Sequence, residues 1–404
     1  MGSSGLSTAR LDRMHEVLAR HVESGLVPGL ISLLSRRGET HVDVVGEIKV
    51  DGGPLKRDSL FRITSLTKPL GAVAAMILVE EGKIRLDEPV DRLLPELANR
   101  QVLKRINGPV NETAPAQRPI TARDLLTFRS GLGMVFAPEG VYPIQAAMDE
   151  LKLGQGMPAP QTPPEPDEWI RRLGTLPLIY QPDERWLYNT GSDVLGVLIA
   201  RASGQPLETF LKERLFDPLG MKDTSFGVPA EKLDRFTTSY GTDYQSGTGG
   251  RAVYDEADGG QWSRLPAFPS LGSGIVSTVD DYFAFAQMLL NNGKHGNTRI
   301  LSRPTVELMI SDQLTRAQKA VSGFNPGDFD NRGYGFGMGV VTRRDDYSGS
   351  VGAYGWDGGF GTSWRNDPKE ELITQIFTNR AWEAPIPPAY CIDFWASAYA
   401  AIDD

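Results

Sequence analysis

In the stretch LFRITSLTKPLG (residues 60–71) a serine and a lysine stand three positions apart, Ser65 and Lys68, and Pro69 follows the lysine at once. Serine at its ordinary pKa is a poor nucleophile and needs a base. Positions i and i+3 share a helix face, so if a helix begins near Thr64 the ammonium can fold back onto the hydroxyl. The N-terminus of that helix adds positive potential, which favours a developing anion. Pro69 lacks an N–H and deprives the Ser65 carbonyl of its usual i+4 partner, which marks the turn as special. The same letters also describe an ordinary capped helix start with a solvent-facing lysine, and alone the pair does not separate the two readings.

A histidine base is not in view. His15 and His21 belong to a helical pattern, His41 to a strand, and His295 to the polar turn NNGKHGNTR. There is no Gly-x-Ser-x-Gly elbow, which disfavours an α/β-hydrolase. If Ser65 is a nucleophile, its base is Lys68, a tyrosine, or both together. A tyrosine is offered by YQPDERWLYNTGSDVLG, where Tyr188 precedes Asn189, Thr190 and Gly191 at the mouth of a helix. A neighbouring ammonium is expected to lower the pKa of such a phenol and share its proton. The plainer alternative is a core tyrosine before a capped helix. A third stretch, GAYGWDGGFGTSW, leaves the backbone bare at Gly355, Gly358, Gly359 and Gly361 on an apparent strand. Such glycines mark close approach of a ligand or another backbone. The Gly359 N–H can then form one half of an oxyanion hole and the Ser65 N–H the other; a glycine-rich hairpin turn would look the same.

These pieces need elements to hold them. The spacing of Leu11, Met14, Val17, Leu18 and Val22 predicts an amphipathic first helix ending at Gly25. GLISLLSRRGETHVDVVGEI reads as a hairpin, SLFRIT as a short strand, and GAVAAMILVEEGKI as a helix buried on most sides. Thr121 and Asp124 suit a capping pair. Residues 135–185 are proline-rich and predict a loop or lid. Two helices broken at Ser203-Gly204 follow, then a glycine-rich loop over 241–262, and a helix with Ser277 at its start and Gly293 at its end. From residue 334 strands return in GYGFGMGVVTRR, GTSWRNDP and ELITQIFTNR, covered by a last helix AYCIDFWASAYAAI. This order predicts an α/β (α+β) domain from both chain ends, 1–85 and 270–404. Its antiparallel sheet is flanked by helices, and a mostly helical domain, 86–269, is inserted into it.

Composition bounds the function. The chain has 404 residues, 40% hydrophobic and 23% charged, as expected of globular domains rather than a disordered chain. A net charge of −9 with no basic run argues against nucleic-acid or anionic-membrane partners. The one cysteine, Cys391, cannot form an intrachain disulfide and reads as a small core residue. No Cys/His cluster supports a zinc site. No apolar run suits a signal peptide or a membrane span, so the expected location is cytoplasmic.

Taken together, the three motifs resemble the serine β-lactamase and penicillin-binding-protein superfamily, most closely the family VIII carboxylesterases and class C β-lactamases. That superfamily is marked by Ser-x-x-Lys, a Tyr-x-Asn type motif and a Lys-Thr-Gly type motif on a strand. In this chain the order is Ser65-Leu66-Thr67-Lys68, Tyr188-Asn189-Thr190 and Trp356-Asp357-Gly358. Stretches such as EEGKIRLDEPVDRLLPEL, LFDPLGMKDTSF and GSGIVSTVDDYFAFAQMLLNNGKHGNTRILS extend the resemblance from about residue 8 to 400. It implies the β-lactamase-like fold, Ser65 as nucleophile, Lys68 and Tyr188 as general base and acid, and no metal or organic cofactor. Two departures bear on substrate. Thr190 stands where lactamases carry asparagine, and Trp356 where they carry a lysine that holds the substrate carboxylate. An uncharged indole suits an ester better than an anionic β-lactam, and Asp357, if it faces the site, adds to that. The expectation is a carboxylesterase acting on small, short-chain esters, with Trp356, Asp357, Gly358, Asn189 and Thr190 lining the substrate site. A β-lactamase or D-alanyl peptidase, with a cation such as Arg365 aimed at the carboxylate, is the alternative; a non-catalytic scaffold on the same fold is less expected, since it has no need to keep Ser65, Lys68 and Tyr188.

Overall fold

Gly29–Arg36 (β1), with sequence GLISLLSR, is buried along its whole length, which a strand achieves only when both faces of its sheet are covered. In the computed structural model, which describes residues 4–138, 140–243, 250–344 and 349–404, β1 pairs antiparallel with Glu39–Gly46 (β2) on one side. On its other side lies Leu372–Thr378 (β7), with Leu30 opposite Thr378. The remaining strands are Arg332–Tyr334 (β3), Gly339–Val341 (β4), Tyr354–Gly358 (β5) and Thr362–Asp367 (β6). They complete a seven-stranded sheet in the order β3-β4-β5-β6-β7-β1-β2, antiparallel throughout. Both ends of the chain therefore build one sheet, the β-lactamase-like α/β arrangement.

The alternation of side chains along β1 sorts the core. Leu30 and Leu34 face the terminal helices Thr8–Glu23 (α1) and Ala389–Ala400 (α5), where Met14, Leu18, Cys391 and Phe394 pack. Ile31 and Leu33 face the larger core. That core contains Thr67–Glu80 (α2), Thr190–Ser203 (α3) and Val279–Leu290 (α4). Helix α2 is buried nearly all round, as its uniform apolar sequence predicts. Gly71 of α2 and Gly196 of α3 leave the space that Leu271 fills; a Cβ at Gly71 would lie 2.8 Å from the leucine Cδ1. Leu271 thus locks the 270–275 turn between the two helices.

Residues 86–269, expected as an inserted helical domain, differ in detail from that expectation. The proline-rich segment is not an irregular lid: prolines sit at the first helical positions of Pro143–Glu150 and Pro166–Thr175, where their missing N–H costs nothing. The polar stretch after residue 241 is not all loop, since Ser239–Thr242 pairs with Arg251–Asp255; residues 244–249 lie outside the described ones. Thr121 and Asp124 do form a capping box. The cap of α4 is Thr278, whose side chain accepts from Asp281 N–H, while the neighbouring Ser277 pairs with Phe61 in a two-stranded ribbon. The stretch GYGFGMGVV is broken into β3 and β4 by Gly337 at φ 74°. The stretch GAYGWDGGFGTSW is a hairpin, β5 and β6 joined through Gly359–Gly361. None of the described helices is long and apolar enough to cross a membrane.

Candidate active site

Ser65 sits in a 3₁₀ turn, Thr64–Leu66, that runs directly into α2. The turn is entered through Thr64 at φ 41°, a left-handed conformation that a β-branched residue adopts at a cost of about 1–3 kcal/mol. Surrounding bonds hold it: Ile63 N–H donates to the Ile275 carbonyl at 3.0 Å, Thr362 Oγ1 donates to the Ile63 carbonyl at 3.2 Å, and Tyr282 Oη donates to the Leu66 carbonyl at 3.0 Å. One helical turn on, Lys68 Nζ donates to Ser65 Oγ at 3.0 Å and to the Gly272 carbonyl. Lys68 is only 2% exposed. Burial pulls its pKa from the usual 10.5 down to about 7, against the attraction of Asp193. A lysine in this state is half neutral near pH 7 and can accept the serine proton.

Tyr188 joins them. Lys68 Nζ lies 4.4 Å from the centre of its ring, and its hydroxyl interacts with Ser65. The tyrosine is presented by a rare turn: Asn189 has φ 82° and ψ −67°, and Thr190 N–H donates to the Tyr188 carbonyl at 3.2 Å, the geometry of a strained γ-turn. The expected lowering of the phenol pKa is not what the structure gives. Burial pushes it above its ordinary value, only partly opposed by Ser65 and Trp356, and the charge of Asp357 adds to the rise. The ammonium that was to lower it is itself half discharged near pH 7 by burial. In the resting site the amine is the readier base and the phenol holds its proton.

Trp356, half-buried on β5, donates from Nε1 to the Tyr188 hydroxyl at 2.9 Å. Its one polar group therefore orients the phenol. Asp357 is turned away from the site, because neighbouring residues of a strand point to opposite faces. Its carboxylate accepts from Arg365 at 2.7 Å and from Ser363 Oγ at 2.7 Å, and Arg365 lies over the Trp395 ring of α5. A cleft of about 140 Å³ lies on that side, lined by Asp357, Arg365, Trp395 and Tyr399. Asp357 is thus not a wall of the Ser65 site, and Arg365 is not a cation aimed into it.

Gly358 is pressed against the serine turn; a Cβ there would collide with the Ile63 carbonyl and the Thr362 hydroxyl. Gly359, next in the hairpin turn, faces open space, with no atom within 4 Å of where a Cβ would stand. Its N–H has no protein acceptor among the described residues, while its carbonyl accepts from Trp382 N–H. Thr190 is fully buried and donates to Gln155 Oε1 at 2.6 Å, so its hydroxyl serves the scaffold. Asn189 is also buried, with its amide oxygen beside Gly272.

Two groups of residues escaped the sequence reading. The first is the Ser270–Gly274 turn with Asp193, described further below. The second is an aromatic wall: Phe128, Trp186, Phe324, Phe329 and Tyr334 cluster with Tyr188 and Trp356. Phe136, 53% exposed, meets Phe324 edge-on at 5.1 Å and Tyr188 at 6.3 Å, so the two phenylalanines flank the approach to the phenol. These rings come from three distant stretches and have no common period, so no local pattern announces them. The histidines stand elsewhere: His15, His21 and His41 lie against Asp43, Asp393 and Glu39.

The model of the Beta-lactamase family matches residues 14–387. Protein Rv1367c of Mycobacterium tuberculosis is 38% identical over 358 residues, 87% of this chain and 85% of that protein. Esterase EstB of Burkholderia gladioli is 30% identical over 401 residues, covering 94% of this chain and 92% of its own. Among solved structures, EstCE1, described as a hydrolase with promiscuous acyltransferase activity, superposes with a TM-score of 0.78 at 23% identity, over 97% of this chain and 98% of its own.

Proposed function

The chain belongs to the beta-lactamase family, and we propose that it is a serine hydrolase that cleaves short-chain carboxylic esters through an acyl-enzyme on Ser65. The observation that carries this reading is the buried Lys68 amine, 3.0 Å from Ser65 Oγ, with a pKa of about 7. Ser65 Oγ attacks the ester carbonyl carbon as its proton passes to Lys68 Nζ. The carbonyl oxygen becomes an oxyanion, received by the N–H groups of Ser65 and Gly359. When the tetrahedral adduct collapses, the C–O bond to the alcohol breaks. The proton on Lys68 returns to the leaving oxygen, with the neutral Tyr188 hydroxyl, held by Trp356, as relay. Water then attacks the acyl-serine by the same route and releases the acid. The relative named Esterase EstB supports the choice of ester. The absence of a cation at Trp356 and the pinning of Arg365 behind β5 argue against an anionic β-lactam. The aromatic wall suits an ester with an apolar group on the side of Phe136 and Phe324.

The test is hydrolysis of p-nitrophenyl butyrate beside nitrocefin. Wild-type protein turns over the butyrate much faster, and mass spectrometry of a quenched reaction finds the butyryl group on Ser65. Ser65→Ala loses on the order of 10³-fold or more in kcat/KM. Undiminished turnover by that variant sinks the proposal.

A further inference from the structure

We propose that Asp193 is a positioning residue for Lys68: through the Ser270–Gly272 turn it holds the amine against Ser65 and sets a negative charge behind it. The inference rests on the reading of Lys68 as base.

Asp193 lies in the first turn of α3, one turn beyond the γ-turn that presents Tyr188, and is buried. Among the described residues it has no arginine or lysine in direct contact. Its Oδ1 instead accepts from Ser270 Oγ at 2.7 Å and from Gly272 N–H at 2.9 Å. Ser270 Oγ in turn accepts from the N–H groups of Gly272 and Ser273. The carbonyl of the same Gly272 accepts from Lys68 Nζ. One residue therefore joins carboxylate and amine, its N–H on the first and its C=O on the second. A side chain there would crowd the turn, since a Cβ at Gly272 would lie 3.0 Å from Asn189 Oδ1 and 3.1 Å from Asp193 Oδ2, and these oxygens would have to give way. A carboxylate with only two neutral donors and no direct cation is a poor device for stability. Its place behind the base gives it a use.

The titratable groups around Lys68 come from several elements. Tyr188 stands over the amine, Tyr282 of α4 bonds to the Leu66 carbonyl, and Tyr334 packs beyond Tyr188. Burial keeps all three phenols neutral. Asp357 acts on Tyr188 rather than on Lys68. Asp193 is the charge that acts on the amine and favours the ammonium; burial raises the pKa of its own carboxyl, opposed by the bonds from Ser270 and Gly272 and by the attraction of Lys68.

The experiment labels the lysines of the full chain with ¹³C at Cε and follows Lys68 by NMR against pH, its signal identified by loss in Lys68→Met. Asp193→Asn keeps an acceptor for Ser270 and Gly272 but removes the charge. The Lys68 midpoint is expected to fall by about one pH unit or more, and the acid limb of kcat/KM for the butyrate ester to move down with it. Asp193→Ala, which also frees the turn, lowers kcat as well. An unmoved or raised midpoint in a variant with wild-type far-UV circular dichroism overturns the proposal. Should Asp193→Asn not fold, Asp193→Ser makes the same charge change and carries the same expectation. The NMR titration decides even if the chain has no esterase activity, so failure of this inference and failure of the hydrolase reading are told apart.

Discussion

Arg62 and Lys68 stand three residues to either side of Ser65, each 2% exposed and each associated with a buried aspartate. Arg62 meets its aspartate directly: Nε lies 2.8 Å from Asp255 Oδ2, and further bonds run to the carbonyls of Thr237 and Glu256, with the guanidinium 3.9 Å over the Phe236 ring. Burial lowers its pKa to about 10, with Asp255 opposing, so at neutral pH it stays charged. Lys68 meets its aspartate only through the Gly272 peptide unit, and burial takes it to about 7. A directly paired cation is a fixture, whereas one whose partner is a residue away can give up its proton. The two strategies clamp the same short segment, one anchoring it and the other making it reactive.

The widest split between them should come from removing each charge in turn. Lys68→Met lowers kcat/KM for the butyrate ester by about 10²–10⁴-fold, measured with initial rates, and yet raises the melting temperature. The sign follows from the proton count. The folded amine titrates near 7 and the unfolded one near 10.5. Below about pH 7 the full cost of burying the ammonium, on the order of a few kcal/mol, falls on the wild type. That cost shrinks as pH rises from 7 toward 10.5, so the gain from Lys68→Met should fade over the same window. A melting temperature that drops at pH 6 would break the comparison. Arg62→Met does the reverse: it leaves Asp255 buried without its cation, costs about 3–5 kcal/mol in urea unfolding, and spares the activity of whatever fraction remains folded. The smallest effect sharpens the reactive side. Trp356→Phe removes the 2.9 Å bond to Tyr188 at a cost of about 1 kcal/mol, seen as a several-fold fall in kcat with little change in KM for a small ester.

What the sequence shows of this arrangement depends on range. Ser65 and Lys68 are legible because a helical turn brings them together, and the sheet from both chain ends follows from strand patterns at each end. Asp357 misled because strand parity decides its face, and nothing local in the sequence says which face of β5 looks toward Ser65. Phe136 and Phe324 converge from positions 188 residues apart, and only the fold relates them. Arg62, in a two-residue strand, reads like any strand arginine until Asp255 arrives from the insert. The lowered phenol pKa failed for a related reason: it assumed a charged lysine, and the burial that discharges the lysine is a property of the whole core.

The pairing of Leu30 with Thr378 sets a clock on that reactivity. Chains are made from the N-terminus, so Ser65 and Lys68 leave the ribosome long before β5, β6 and β7 exist to close over them. Until then the lysine is an ordinary hydrated side chain and the serine an ordinary alcohol. On the proposed mechanism the nascent chain is in this sense unarmed, and Ser65 becomes a nucleophile only at the last step of synthesis, when the sheet shuts around it.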